Sequence, residues 1–392
     1  MDHAVTPLRI ERPVAGGDGL GRAPDGRVVL VSGALPGELV DVEVLEEHPR
    51  RLMARVAEVV ERSPARVEPP CPHVAGGCGG CDWQHVDPAA AMALRVDILE
   101  DAARHVGRIE VPPIVAAPAS GLSGARTTVR LARGSRRMGF RRHRSNEVID
   151  IDRCLVAHRL VDDLIAELEP GRAEELTLRV GAATGERLVL ASPTADGVVA
   201  PSDVLVVGED ELRAGRRAWI HDEVAGRRWR ISARSFFQSG PAAAEGLVHA
   251  VGRAAEGAGE RLVDLYAGVG LFAGTIGAER RTVAVERSPD SVADARVNLP
   301  GARVVRIDVR KFRATPADLV IADPARSGLG KEAVEVVDAI GASRVVLVSC
   351  DAAAFARDLA ALIARGYRAV SVELVDAFPG TAHVEAVTRL ER

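Results

Sequence analysis

The sequence predicts a multidomain α/β protein. It has a small N-terminal β-barrel of the oligonucleotide-binding type, a central mixed α/β region with a metal cluster of cysteines, and a C-terminal, Rossmann-like doubly wound domain. Three observations predict this. Short strands rich in Gly and β-branched residues crowd the region 5–62. Cys71, Cys78, Cys81 and Cys154 fall in the middle region. From Ser235 onward apolar strands alternate with helices. The expected divisions are 1–62, 63–234 and 235–392.

A chain of 392 residues accommodates two or three domains, and a hydrophobic content of 47% is ordinary for globular cores. No run is long and apolar enough to span a bilayer. Met1 to Glu11 lacks the basic-then-apolar layout of a secretory signal. The expectation is therefore a cytoplasmic protein with no membrane partner, and no protein partner is evident. Five cysteines in such a chain point to metal or catalysis before disulfides. The formal net charge of -4 argues weakly against nucleic-acid binding, although local distribution matters more. The only lysines are Lys311 and Lys331. This imbalance fits a codon bias toward arginine, which also supplies bidentate phosphate contacts.

In the first segment Arg27–Val31, Leu39–Val44 and Val56–Val60 read as strands separated by Gly, Pro and Asp turns. In the second, Pro88 opens a helix in which Ala91, Leu94, Ile98 and Ala102 recur at helical spacing. The third carries a basic stretch, Arg126, Arg130, Arg133, Arg136, Arg137, Arg141, Arg142 and Arg144. Alternation over Thr128–Arg133 suggests a strand with arginines on one face. In the fourth, strands are expected at Arg261–Leu265, Thr282–Glu286, Arg303–Ile307, Leu319–Ala322, Val345–Ser349 and Ala369–Asp376, with another from His383.

Val263 to Gly270 ends an apolar strand and enters a helix through a G-x-G turn. The next strand ends at Glu286, where a carboxylate can accept hydrogen bonds from two ribose hydroxyls. A dinucleotide fold would show a third glycine, but Ala273 stands there. The leading Asp264 and the single G-x-G look instead like an S-adenosylmethionine methyltransferase, with Asp308 suited to the adenine or amino-acid end. The alternative is a strand-to-helix turn without a ligand. Chemistry in open α/β sheets gathers at the carboxyl ends of strands. Cys350 stands at such an end, a nucleophile candidate against the commoner fate of a buried inert cysteine.

Four motifs then make the resemblance specific. They are Ser235-Phe236-Phe237-Gln238, Asp323-Pro324-Ala325-Arg326, Val348-Ser349-Cys350-Asp351 with Phe355 to Leu359, and Asp376-Ala377-Phe378-Pro379-Gly380-Thr381-Ala382-His383-Val384-Glu385. In this order they resemble the signatures of the RNA (uracil-5)-methyltransferase family. Residues 5–62 look like the TRAM barrel of many members, and the four upstream cysteines look like the cluster ligands of its 23S rRNA branch. The resemblance implies a class I methyltransferase domain, S-adenosylmethionine as methyl donor and RNA, most naturally 23S rRNA, as partner. It implies Cys350 as the nucleophile on C6 of uracil and Glu385 as the base that removes the C5 proton. It also implies cofactor contacts from Gln238, Tyr266, Glu286, Asp308 and Asp323. Leu271 replaces an Asn that contacts the cofactor in relatives. Asp351-Ala352 replaces Asn-Pro, and an ionised carboxylate beside the thiol would raise its pKa unless it points away. Gly380 replaces a histidine.

Four thiolates with C-x6-C-x2-C spacing suit a 4Fe-4S cluster or a structural zinc, with His73 and His85 as further zinc candidates. Spacing does not choose between them; the resemblance favours iron–sulfur, and disulfides are a third reading. The RNA grips expected are the barrel and the arginines at 126–144, against a merely solvated strand face. Phe236 or Phe237 is expected either to stack on a flipped base or to serve the core. A tRNA (uracil-5)-methyltransferase and a catalytically silent iron–sulfur RNA-binding module are the alternatives. A DNA cytosine-C5 methyltransferase would show a Pro-Cys nucleophile motif, whereas Cys350 is preceded by Ser349.

Overall fold

The computed structural model describes residues 4–392, so the first three residues of the expected 1–62 segment lie outside the described residues. Strands Ala4–Pro13, Gly19–Arg22, Val28–Ser32, Leu39–His48 and Arg51–Glu61 close into a five-stranded barrel. Its interior is filled by alternate residues such as Val29, Val31, Val40, Val42, Leu52 and Ala54. The buried Glu38 fastens the chain where it leaves the barrel. Its carboxylate accepts from Leu35 N at 2.8 Å and from Arg66 Nε at 2.5 Å. Burial pushes this carboxyl up, but Arg66 and the backbone amides together hold it below the usual carboxylate range.

The central sheet has six strands in the spatial order Val204–Gly208, Arg187–Ser192, Glu175–Val180, Thr128–Arg133, Met138–Arg141 and Val148–Asp150. Helix Arg159–Glu167 buries Val161 and Leu164 against Leu176 and Leu178 of this sheet.

The C-terminal sheet has eight strands, in the order Arg303–Arg306, Arg281–Glu286, Arg261–Leu265, Leu319–Ala322, Arg344–Ser349, Ala386–Glu391, Arg368–Leu374 and Ile114–Ala116. Only Ala386–Glu391 runs antiparallel to its neighbours. The strand expected from His383 thus begins three residues later. The edge strand comes from far upstream: Ile114–Ala116 pairs in parallel with Arg368–Leu374. Helix Pro88–Ala102 goes with it, and its Met92, Ile98 and Leu99 share one core with Val345, Leu347 and Phe355. The stretch 88–116, expected within the 63–234 segment, is therefore a layer of the C-terminal sheet. Its apolar stripe is the reason, since the six-stranded sheet is already covered by its own helix. The hairpin Trp219–Val224 and Arg227–Ser232 likewise places Trp229 and Ile231 in the core with Leu247 and Val251.

Helix Pro88–Ala102 starts as its sequence dictates. Asp87 accepts from Ala89 N and Ala90 N, both at 3.0 Å, and Pro88 occupies the first turn. Its buried face contains a charge, however. Arg95 is 2% exposed. It donates to Asp376 Oδ1 at 2.8 Å, to the carbonyls of Thr381 and Phe378 at 2.7 and 3.0 Å, and to Met92 Sδ at 3.0 Å. Asp376 Oδ2 is shared by Ser120 N and Ser120 Oγ, both at 2.7 Å. One guanidinium thus ties the helix to the irregular loop 376–385.

Replacing Arg95 by Leu strands a buried carboxylate and two carbonyls. It is expected to cost about 3–5 kcal/mol of stability, read as a fall in the urea unfolding midpoint. A loss below about 0.5 kcal/mol, the scale of an ordinary surface change, would show that the clamp does not hold the fold.

Candidate active site

The register of the C-terminal sheet lines up the acidic and nucleophilic residues at one end. Leu265 pairs with Val285 and with Ala322, so Tyr266, Glu286 and Asp323 leave the sheet side by side. Ser349 pairs with Ala386 in the antiparallel ladder. Cys350 and Glu385 are the residues that adjoin this last pair. Three buried polar atoms at this end have no hydrogen-bond partner, Asp264 Oδ1, Ser349 Oγ and Glu385 Oε1. Buried polar groups are normally satisfied, and this group of orphans at the strand tips fits a site built to receive a polar ligand.

Burial and the nearby carboxylates of Glu385 and Asp323 push the Cys350 thiol up to about 12, against a smaller downward pull from Arg326. Glu385 is 3% exposed, and burial with the Asp323 charge holds its carboxyl well above the usual range. Burial raises Asp323 as well. Asp351 caps helix Ala352–Ile363, its carboxylate accepting from Ala354 N at 2.8 Å, so the residue that replaces the family's Asn is engaged at the helix start.

The residues expected at the cofactor occupy distinct environments. Asp264 is fully buried, accepts from Ala273 N at 2.9 Å, and is pushed up to about 8 by that burial. Tyr266 holds a left-handed φ of 64°, unusual for a residue with a Cβ and a mark of functional sites. Glu286 binds Gly268 N at 3.0 Å and Arg287 N and Ser288 N at 2.7 Å, tying two strand-end loops together. Asp308 is gripped by Arg310, whose guanidinium donates at 2.7 and 2.9 Å and holds the carboxyl well below its ordinary value. Gln238 is half-buried at the end of a turn fixed by Ser235, which donates to Asp294 at 2.6 Å. Of the two phenylalanines before it, Phe237 is core and Phe236 is 68% exposed.

Cys71, Cys78, Cys81 and Cys154 line one pocket with Phe140 and Ile151. All five cysteines are free in this structure. His73 also lines the pocket but His85 does not. No three His, Cys, Asp or Glu side chains among the described residues are gathered as a single metal ion requires. Arg126 donates to Gly80 O at 3.4 Å, and its charge opposes the upward push that burial gives Cys78 and Cys81.

The cysteine turn touches the loop before Glu385 directly. Trp83 N donates to Gly380 O at 2.9 Å, and Ala382 N donates to Asp82 Oδ1 at 3.1 Å. Gly380 has a φ of 74°, and an added Cβ would lie 2.6 Å from Leu122 Cδ1. A side chain there would be strained by this φ and would have to displace the end of Leu122. Trp83 Nε1 reaches the barrel at Gly17 O, 3.1 Å away. The sequence offered no signal for Asp82 or Trp83, and Arg326 stood out only as the last residue of the Asp323-Pro324-Ala325-Arg326 motif. Arg95 had one, a charge within the apolar stripe of a helix.

The basic stretch is largely engaged with neighbours. Arg130 and Arg141 pair with Glu175, Arg142 with Glu147 and Arg144 with Asp18 of the barrel, while Arg133 donates to Ala173 O and Gly171 O. Arg136 and Arg137 project from the hairpin tip.

Two family models match. The TRAM domain covers residues 4–57, and the tRNA (Uracil-5-)-methyltransferase family covers residues 302–392. An uncharacterized RNA methyltransferase of Streptomyces avermitilis is 35% identical over 97% of this chain and 96% of its own length. The 23S rRNA (uracil(1939)-C(5))-methyltransferase of Chromohalobacter salexigens is 33% identical over 100% of this chain and 90% of its own. Among solved structures, the tRNA (uracil-54, C5)-methyltransferase of Pyrococcus abyssi in complex with S-adenosyl-L-homocysteine superposes with a TM-score of 0.74. It covers 98% of this chain and 100% of that one at 24% identity, and so shares the fold.

The raised thiol gives a pH prediction for the free protein. Below its pKa the thiol is protonated and unreactive, so iodoacetamide labelling of the Cys350 peptide, followed by mass spectrometry, should be slow at pH 7. It should still be climbing at pH 10. Asp323→Asn removes one of the raising charges and should accelerate labelling at pH 9. A plateau below pH 8 would show an activated thiol instead.

Proposed function

The chain belongs to the RNA (uracil-5)-methyltransferase family, and on that premise we propose that it transfers a methyl group from S-adenosylmethionine to C5 of a uridine in 23S rRNA. In this reading Cys350 is the nucleophile and Glu385 the base. The observation that carries it is the antiparallel ladder ending at the pair Ser349 and Ala386, the residues next to Cys350 and Glu385, with Ser349 Oγ and Glu385 Oε1 both buried and unpartnered.

C5 of uracil is a weak nucleophile, because its electrons belong to a conjugated ring. The Cys350 thiolate adds to C6, and the C5=C6 electron pair moves to C5, which then takes the methyl group. The donor, when bound, supplies an electrophilic methyl on a positively charged sulfur. Glu385 takes the C5 proton, the electrons of that C–H bond re-form C5=C6, and the Cys350 thiolate leaves. The buried carboxyl of Glu385, held high by its surroundings, binds that proton strongly. In the free protein burial, Glu385 and Asp323 keep the thiol protonated, which protects it until substrates assemble.

Gln238, Tyr266, Glu286, Asp308 and Asp323 are assigned to the cofactor. Glu286 has lone pairs remaining for ribose hydroxyls. Asp308 is suited to a cationic or amino group once Arg310 yields to it. The barrel, Arg136 and Arg137 are assigned to the RNA backbone and the outward Phe236 to base stacking. The 23S assignment rests on the relative named for that RNA, which aligns across the whole chain. A tRNA substrate is the second reading, favoured by the name of the superposing structure. We assign Cys71, Cys78, Cys81 and Cys154 to a 4Fe-4S cluster. What supports this is a donor set of four thiols lining one pocket. Its role there is structural.

Radiolabelled methyl transfer to 23S rRNA and tRNA transcripts, side by side, tests the substrate; activity on tRNA alone would overturn the 23S reading. Cys350→Ala should lower turnover by about three orders of magnitude or more. Glu385→Gln should accumulate an enzyme–RNA adduct on a denaturing gel. Normal turnover in either variant removes that residue from its role.

Protein purified without oxygen should be brown and hold about four irons per chain. Stoichiometric zinc without iron would replace the cluster and leave the four-thiol site standing.

A further inference from the structure

We propose that Asp82 is a positioning residue for Glu385, acting through the amide of Ala382. Glu385 is buried and one of its oxygens has no hydrogen-bond partner, so its own side-chain contacts do little to aim it. Its direction is therefore set by its backbone. On the far side the ladder beginning at Ala386 fixes the chain, and Glu385 O accepts from Val375 N at 2.8 Å. On the near side the chain is the irregular loop that starts at Asp376.

Arg95 and Ser120 hold the early part of that loop, at Asp376, Phe378 and Thr381. After them, the amide of Ala382 is the last backbone group before Glu385 that another part of the chain holds, among the described residues, and its acceptor is Asp82 Oδ1 at 3.1 Å. The amide of His383 turns back on Thr381 Oγ1 within the loop. The acceptor is itself well placed. Trp83, the next residue, hydrogen-bonds Gly380 O and Gly17 O. A Cβ on Gly17 would lie 2.3 Å from the Ala382 Cβ, so the barrel turn presses Ala382 from the other side. Ala382 is thereby pinned between the barrel and the cysteine turn, three residues from the carboxylate that must reach C5.

A proton acceptor displaced by about 1 Å can lose on the order of a hundredfold in rate. The loss should fall on the step that Glu385 serves and not on the steps before it. The inference rests on the reading of Glu385 as the base, and the experiment keeps the two apart. Asp82→Ala, Asp82→Asn and Glu385→Gln are compared in single-turnover methyl transfer, in steady-state turnover and by adduct on a denaturing gel. Cofactor binding and melting temperature are measured alongside. Asp82→Ala is expected to bind cofactor and transfer the first methyl as the unaltered enzyme does, to turn over about 10- to 100-fold more slowly, and to accumulate adduct. Asp82→Asn keeps an oxygen acceptor and should restore turnover. If Glu385→Gln traps an adduct while Asp82→Ala turns over normally without one, Asp82 has no positioning role. If Asp82→Ala loses cofactor binding and first transfer together, its role is merely structural and the inference fails. If Glu385→Gln traps nothing, the base is misassigned and the inference falls with it.

Discussion

The fold is organised around the buried guanidinium of Arg95. A charge removed from water must be met by partners on every donor, and all of its partners beyond its own helix lie in the loop 376–385. This one requirement selects how helix Pro88–Ala102 lies on the C-terminal sheet. It also gives shape to a loop that has no regular secondary structure. Hydrophobic burial alone would tolerate the helix in several rotations, because Met92, Ile98 and Leu99 form a broad apolar face. The five-donor fork admits far fewer. With the helix in place, Ile114–Ala116 falls at the sheet edge, and the cysteine turn just upstream meets the loop it braces.

The active end of the molecule is built on a contrast in electrostatics. Asp264, Asp323 and Glu385 all stand in low-dielectric surroundings that favour their neutral forms, and Cys350 shares that environment. Beyond the edge strand Arg303–Arg306, Asp308 is instead held in its ionised form by Arg310. Carboxyls of the site thus differ according to whether burial or a paired arginine dominates their surroundings. The buried set also makes the site responsive, since any positive charge brought among these groups lowers all of their pKa values together.

Much of this was legible in the sequence, and the reasons differ by element. The strands Arg261–Leu265 and Leu319–Ala322 match their expected bounds, because fully buried parallel strands are short apolar runs ended by Asp, Gly or Pro. The placement of Cys350 and Asp323 at strand tips follows from the same pattern. The attachment of 88–116 to the C-terminal sheet was not legible, because an amphipathic helix announces that it has a buried face and not which sheet covers it. The arginines at 126–144 misled for a related reason. Arg130 and Arg133 lie three apart in one strand and so fall on opposite faces, and the partners Glu175 on another strand and Asp18 in the barrel lie far along the chain. Asp351 could not be assigned from its position beside the thiol, since the outcome turned on a single cap geometry. For Phe236 and Phe237 the pair was visible, but which of them faces outward depended on the turn that Ser235 and Asp294 fix.

The long reach of the Arg95 contact also bears on how the chain is made. Arg95 and Asp376 are 281 residues apart. At about 5–20 residues per second of synthesis, the arginine waits on the order of tens of seconds before its carboxylate exists. During that interval the barrel can close from local strands alone, yet helix Pro88–Ala102 has neither its counter-ion nor the sheet that covers its apolar face. The nascent chain therefore carries an exposed hydrophobic helix until Asp376 and the strand Ala386–Glu391 emerge. The C-terminal sheet, completed at one edge by a strand made long before the others, cannot finish folding until Ala386–Glu391 has left the ribosome.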